Sequence, residues 1–224
     1  MKLDKINTSE AFRYLGYGSA VPDDNILAVA DECEKKLLMA IDAKYIYKYF
    51  EIDKHSESEV TLVGTSLLLC GSSISEHLAG CHGVVLLAAT LSGGVDRLIR
   101  QLSVRSMTSA VVADSMASAA VEQVCDAAEN EIMKEFDGKY MTWRFSPGYG
   151  DFPLEIQKKF LDVLSAPKRI GLNITDGGLM APCKSVTAVI GVSDREPERK
   201  RRGCSVCSMR EHCAFRKKGE HCGF

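Results

Sequence analysis

Four of the chain's nine cysteines crowd into its last stretch, as Cys204-x2-Cys207-x5-Cys213-x8-Cys222. A basic segment with almost no apolar residues cannot bury enough surface to fold alone. A metal supplies the missing stabilisation, because its binding energy becomes folding energy. Thiolates suit Zn²⁺ or an iron–sulfur cluster. The flanking Arg and Lys residues favour the thiolate. His212 and His221 each adjoin a cysteine and are secondary ligand candidates. The alternative is a tail of free thiols without metal. Cys33, Cys70, Cys81, Cys125 and Cys183 lie in or beside apolar segments and read as buried small hydrophobes.

The second unusual stretch is Arg144-Phe145-Ser146-Pro147-Gly148-Tyr149-Gly150-Asp151-Phe152-Pro153. Pro147-Gly148 is a tight-turn dipeptide. The glycines would let a ligand approach the backbone, and Tyr149 offers a flat face with a polar tip. Arg144 carries a planar fork that fits a carboxylate. A plain strand–turn–helix connection explains the same residues. Thr175 to Ser185 is a second Gly-rich loop, and neither a G-x4-G-K-[ST] nor a G-x-G-x-x-G pattern occurs. Thr90-Leu91-Ser92-Gly93-Gly94 reads as a helix N-cap. No nucleophile–base pairing supports a hydrolase.

The elements that must position these residues alternate through the body. Asp23 to Asn25 caps a helix with Ile26, Val29, Cys33 and Leu37 at helical spacing. Lys44 to Ile52 reads as a strand with Tyr45, Tyr47 and Tyr49 on one face. Gly83 to Thr90 is continuously apolar, as a buried strand should be. A long helix, rich in alanine, runs from about 108 to 136 and would admit close approach of other backbones. Tyr140 to Phe145 reads as a strand, 154 to 164 as a helix, and Ser185 to Val192 as an alternating strand. Without a regular βαβ repeat, the class is α+β with an antiparallel or mixed sheet. The charged run 194–202 divides the chain into a body, 1–194, and a tail, 195–224.

The formal net charge of −2 hides an asymmetry: the tail carries +5 and the body −7. One basic patch with few aromatics is weak support for nucleic-acid binding. No apolar run approaches the roughly 20 residues that span a bilayer, and the start, MKLDKINTSEAF, lacks a signal-peptide core. A cytoplasmic location is expected, where cysteines are thiols or metal ligands.

Arg13-Tyr14-Leu15-Gly16-Tyr17, the run 90–100, Ala119-Ala120-Val121-Glu122, Arg144-x2-Pro147-Gly148-Tyr149, Gly171-Leu172 and Met180-x-Pro182-x-Lys184-Ser185 occur in an order. That order resembles stand-alone relatives of the activation domain of vitamin B12-dependent methionine synthase. The resemblance implies one C-shaped α+β domain with a bent, mainly antiparallel sheet flanked by helices. It implies S-adenosylmethionine in a shallow groove, and a role in methionine biosynthesis. The domain would dock over a partner's cobalamin and restore methylcobalamin from cob(II)alamin with one electron and the donor's methyl group. Such a chain would be a methyltransferase component. The Arg-x-x-Pro-Gly-Tyr element maps onto Arg144, Pro147, Gly148 and Tyr149, with Arg144 on the ligand carboxylate. Glu122 resembles the helix acid that accepts from the ligand's amino group. Its polar neighbours Ser115, Ser118, Asp126 and Glu129 fit plain solvent exposure equally well. Where relatives carry Pro-Ala-Cys-Pro, this chain has Gly150-Asp151-Phe152-Pro153. The implied partner is methionine synthase or another corrinoid protein, with a flavodoxin or ferredoxin as electron donor. Two alternatives stand beside this: an iron–sulfur redox activator or docking module without its own methyl transfer, and a scaffold with a zinc-stabilised tail.

Overall fold

The computed structural model describes residues 1–18 and 20–196. Its centre is β4 (Gly83–Thr90), buried along its whole length as its unbroken apolar run requires. β1 (Lys44–His55) pairs antiparallel on one side, from Lys44↔Thr90 to Glu51↔Gly83. β8 (Ser185–Ser193) pairs antiparallel on the other, from Thr90↔Ser185 to Gly83↔Val192. β2 (Glu59–Leu62), β3 (Leu68–Cys70) and β5 (Tyr140–Met141) complete a curled sheet of order β3-β2-β1-β4-β8-β5. β6 (Asn173–Ile174) and β7 (Met180–Ala181) form a separate two-stranded ribbon. The class is therefore α+β, and the sheet is antiparallel, as expected.

Period-two alternation divides the core. Val85, Leu87 and Ala89 face a cluster built with α1 (Thr8–Tyr14), α2 (Asp24–Ala40), α4 (Gly93–Arg105) and α5 (Met107–Glu135). Val84, Leu86 and Ala88 face a second cluster, with α3 (Ser72–His77), α6 (Gln157–Leu164) and α7 (Ala166–Ile170). Tyr45, Tyr47 and Tyr49 all pack on the first cluster, as their spacing predicts. The alanines of α5 let three helices lie against it: Ala110, Ala113, Ala117 and Ala120 are buried where α1, α2 and α4 pack. Among the described residues, no helix is long and apolar enough to cross a membrane.

Three sequence expectations need correction. The strand expected over 140–145 is regular only at Tyr140–Met141, then returns as a single bridge, Phe145↔Val189. Between them the Thr142 hydroxyl, not a backbone carbonyl, accepts from Gly191 N–H at 2.8 Å, so a side chain fills the ladder. Ser92 holds the N-cap position of α4 but does not cap it: at φ +66° its hydroxyl donates to Asp42 O at 2.6 Å instead. Cys183 is exposed and Cys70 half-buried, whereas Cys33, Cys81 and Cys125 are buried as expected. Cys183 sits in the surface turn after the cis Ala181–Pro182 bond, and its N–H donates to Asp96 of α4.

Candidate functional site

The Phe145↔Val189 bridge fixes which way Arg144 points. Phe145 turns to the second core cluster, so its neighbour Arg144 emerges on the opposite face, toward α5. The Arg144 side chain is only 19% exposed, and α5 surrounds its guanidinium with acids. Nη2 lies 2.9 Å from Glu122 and Nη1 lies 2.9 Å from Asp126. Nη1 also contacts Glu129. Both terminal nitrogens of the fork are thus engaged by α5: Nη2 donates to Glu122 and Nη1 to Glu129. Burial alone would lower the Arg144 pKa, but Glu129 and the other negative groups beside it outweigh that and raise it.

The acids come from one stripe of α5. Asp114, Ser118, Glu122, Asp126 and Glu129 follow at spacings of four, four, four and three, which keeps them on one helix face. Lys184, at the mouth of β8, reaches the same stripe one turn away. Its Nζ lies 2.9 Å from Asp114 and donates to the Ser118 hydroxyl at 2.9 Å. Arg144 and Lys184 are thus two cations set against one acidic floor. From α1, Tyr14 stands beside Glu122. Burial first, then Glu10 and Glu122, push its phenol up to about 12. Neither Lys184 nor Tyr14 was singled out as a site residue from sequence, although both lie in the quoted motifs. A period of four along α5 was the signal that could have drawn attention to its face.

The turn after Arg144 has the expected form. Pro147 is buried, while Gly148 and Tyr149 are exposed. Gly148 adopts φ +98°, a conformation that glycine takes without strain, and its N–H donates to Phe152 O at 2.8 Å. The Tyr149 ring is 64% exposed, with its centroid 6.1 Å from Phe145. The structure therefore brings Glu122 onto Arg144 directly, and sets Pro147, Gly148 and Tyr149 beside them along the chain.

Asp151 gives the departure Gly150-Asp151 a physical role. It accepts from Ser73 N–H at 2.8 Å, and from Ser72 N–H and the Ser72 hydroxyl at 2.7 and 2.8 Å. These donors hold its carboxyl far below the usual carboxylate range. The turn is so pinned to the start of α3. Because the folded pKa is depressed, the stabilisation is complete above the unfolded value of about 3.9 and is lost as pH falls toward the folded one. Urea unfolding should show wild type more stable than Asp151→Asn at pH 6, with the gap shrinking from about pH 4 downward. A gap that is constant or grows on acidification would contradict this.

Among the described residues, no group of three or more His, Cys, Asp or Glu side chains could hold a metal ion. The proposed ligands Cys204, Cys207, Cys213 and Cys222 lie outside the described residues.

The family described as vitamin B12 dependent methionine synthase, activation domain, matches residues 86–198, which contain α5, the Arg144 turn and Lys184. No curated protein matches the chain. Among solved structures, the crystal structure of the MetH reactivation domain bound to AdoHcy is similar in fold. Its TM-score is 0.61 at 12% identity, over 88% of this chain and 73% of that one. Half of the chain, including every residue that surrounds Arg144 from α5, falls within the family match, and the chain belongs to the family of vitamin B12-dependent methionine synthase activation domains.

Proposed function

We propose that this chain reactivates a cobalamin-dependent methyltransferase, methionine synthase, by S-adenosylmethionine-dependent reductive methylation of cob(II)alamin. The observation that carries the reading is the Arg144–Glu122 pair at the Pro147-Gly148 turn. A guanidinium and a carboxylate side by side match the α-carboxylate and α-ammonium of an amino-acid ligand. The AdoHcy in the similar MetH domain supports a nucleoside ligand of that type. The cobalamin belongs to the partner, and the reductant is a flavodoxin- or ferredoxin-type protein. The cobalt chemistry is the cofactor's, while this chain holds and orients the methyl donor. Tyr149 and Gly148, exposed at the same turn, meet the ligand. Titration of the full chain with S-adenosylmethionine by calorimetry tests the reading. Saturable one-site binding is expected, and absence of heat and of any thermal-shift response at millimolar ligand would refute it.

A second reading rests on the four-cysteine spacing. Here the tail, 195–224, carries an iron–sulfur cluster that passes an electron to the corrinoid partner, and the body only docks. Anaerobically purified protein should then contain iron and absorb in the visible region. Removing residues 199–224 should abolish both the colour and any cob(II)alamin reduction without methyl donor. Zinc in place of iron, with no colour, would assign the tail a structural role. Unchanged activity after the truncation would discard the redox reading.

A further inference from the structure

The segment that carries Arg144 holds one residue too many for its partner strand. Met141 pairs with Val192 and Phe145 bridges to Val189, so Thr142, Trp143 and Arg144 stand opposite two residues, Ile190 and Gly191. Thr142 N–H still donates to Gly191 O at 3.0 Å, so the extra residue falls at Trp143–Arg144. In an unbroken strand residues 141 and 145 share a face. Here Met141 packs on the first core cluster and Phe145 on the second. The extra residue makes a β-bulge, and it flips every side chain beyond it. Without it Phe145 would turn toward α5 and Arg144 toward the second core.

Two side chains hold the bulge. The Thr142 hydroxyl accepts from Gly191 N–H at 2.8 Å. His77, the last residue of α3, places Nε2 3.0 Å from Trp143 O and 2.8 Å from the Thr142 hydroxyl. A carbonyl only accepts, so Nε2 carries the proton. The His77 ring also packs on the residues either side of Arg144, with its centroid 4.8 Å from that of Trp143 and 4.8 Å from that of Phe145. The start of α3, Ser72 and Ser73, grips Asp151 beyond the turn. One short helix thus holds the Arg144 segment at both ends.

We propose that His77 is a positioning residue for Arg144: by holding the bulge at Trp143 it aims the guanidinium across the strand at α5 and the ligand carboxylate. The inference rests on the reading of Arg144 as the holder of that carboxylate. Loss of the Nε2 donor lets the bulge relax, and the guanidinium loses its aim while keeping its charge.

Calorimetry on the full chain with S-adenosylmethionine and with its decarboxylated form provides the test. The decarboxylated ligand keeps the sulfonium and the amine but offers Arg144 nothing to hold. His77→Phe keeps a ring against Trp143 and Phe145 and removes the donor. It should weaken S-adenosylmethionine by about tenfold and leave the decarboxylated ligand within about twofold. His77→Gln, whose amide nitrogen reaches toward the Nε2 position, should restore most of the affinity. In an Arg144→Ala background His77→Phe should cost nothing further, because two residues that act through one contact are not additive. A general loosening of the fold would weaken both ligands and add to Arg144→Ala. Should His77→Phe not fold, Thr142→Val removes the hydroxyl that His77 meets and should show the same selective loss. Equal losses for the two ligands, or wild-type affinity for S-adenosylmethionine in the variant that folds, overturn the positioning role while the site reading stands. If neither ligand binds wild type, both fall together.

Discussion

Arg144→Ala is expected to weaken S-adenosylmethionine binding by about 30- to 150-fold, the cost of one charge-assisted carboxylate pair of roughly 2–3 kcal/mol. The same substitution strips Glu122, Asp126 and Glu129 of their shared cation. Deleting one partner of a buried pair costs about 3–5 kcal/mol. Two of these acids are more than a third exposed, and water screens them, so about 1–2 kcal/mol is the better expectation here. The loss should be smaller at high salt. Arg144→Lys separates the two effects. It keeps a positive charge near the three acids, so much of the stability should return, but a point charge cannot replace the fork and the affinity should not recover. Urea unfolding beside calorimetry on both variants provides the check. If Arg144→Ala binds as wild type does, the guanidinium belongs only to α5 and the ligand site lies elsewhere.

This clamp was only partly legible in the sequence. Helical spacing puts Glu122, Asp126 and Glu129 on one face, but spacing does not say what that face meets, and plain solvent exposure fitted as well. What it meets is decided by the Phe145↔Val189 bridge, a contact between segments 44 residues apart. The Thr142 hydroxyl standing in the ladder at Gly191 sets the register there. No local pattern encodes such a pairing, and the resemblance to a family supplied the link between Glu122 and Arg144.

Elements with a strong local period were read correctly for a corresponding reason. β4 is apolar at every position because both faces are covered, and α5 repeats small residues because three helices rest on it. In β8 alternation records less. Its alternation puts Val186, Ala188, Ile190 and Val192 on one face, and Val186, Ile190 and Val192 do pack in the first cluster, yet Val189 on the other face is buried too. A strand flanked by β4 and β5 and covered on both faces has no solvent side for the pattern to record. The turn after Arg144 was visible from Pro147-Gly148, whereas the role of Asp151 was not, because its donors, Ser72 and Ser73, lie almost 80 residues earlier.

Two adjacent glycines at the start of α4 should respond to the same substitution with opposite sign. Replacing glycine by alanine inside a helix ordinarily stabilises by up to about 1 kcal/mol, since alanine loses less backbone freedom on folding. Gly93 has room for the methyl group: the nearest atom to a Cβ there would be the tip of Arg97 at 3.8 Å. Gly93→Ala should therefore be neutral or slightly stabilising. At Gly94 a Cβ would stand 2.4 Å from the carbonyl oxygen of Ala40, the last residue of α2. Backbone cannot swing aside as a side chain does, because the chain beyond Ala40 is tied down within two residues. Asp42 N–H donates to Leu91 O, and Asp42 O accepts from the Ser92 hydroxyl. Overpacking of this kind costs about 1–3 kcal/mol and exceeds the propensity gain, so Gly94→Ala should lose about 2 kcal/mol. The disturbance should reach the site as well. Asp96, half a turn along α4, holds Cys183 N–H at 2.9 Å, and the next residue is Lys184 on the α5 stripe. Gly94→Ala should thus weaken ligand binding while Gly93→Ala does not, and equal stability of the two variants by urea unfolding would show that α4 and α2 are not in such close contact.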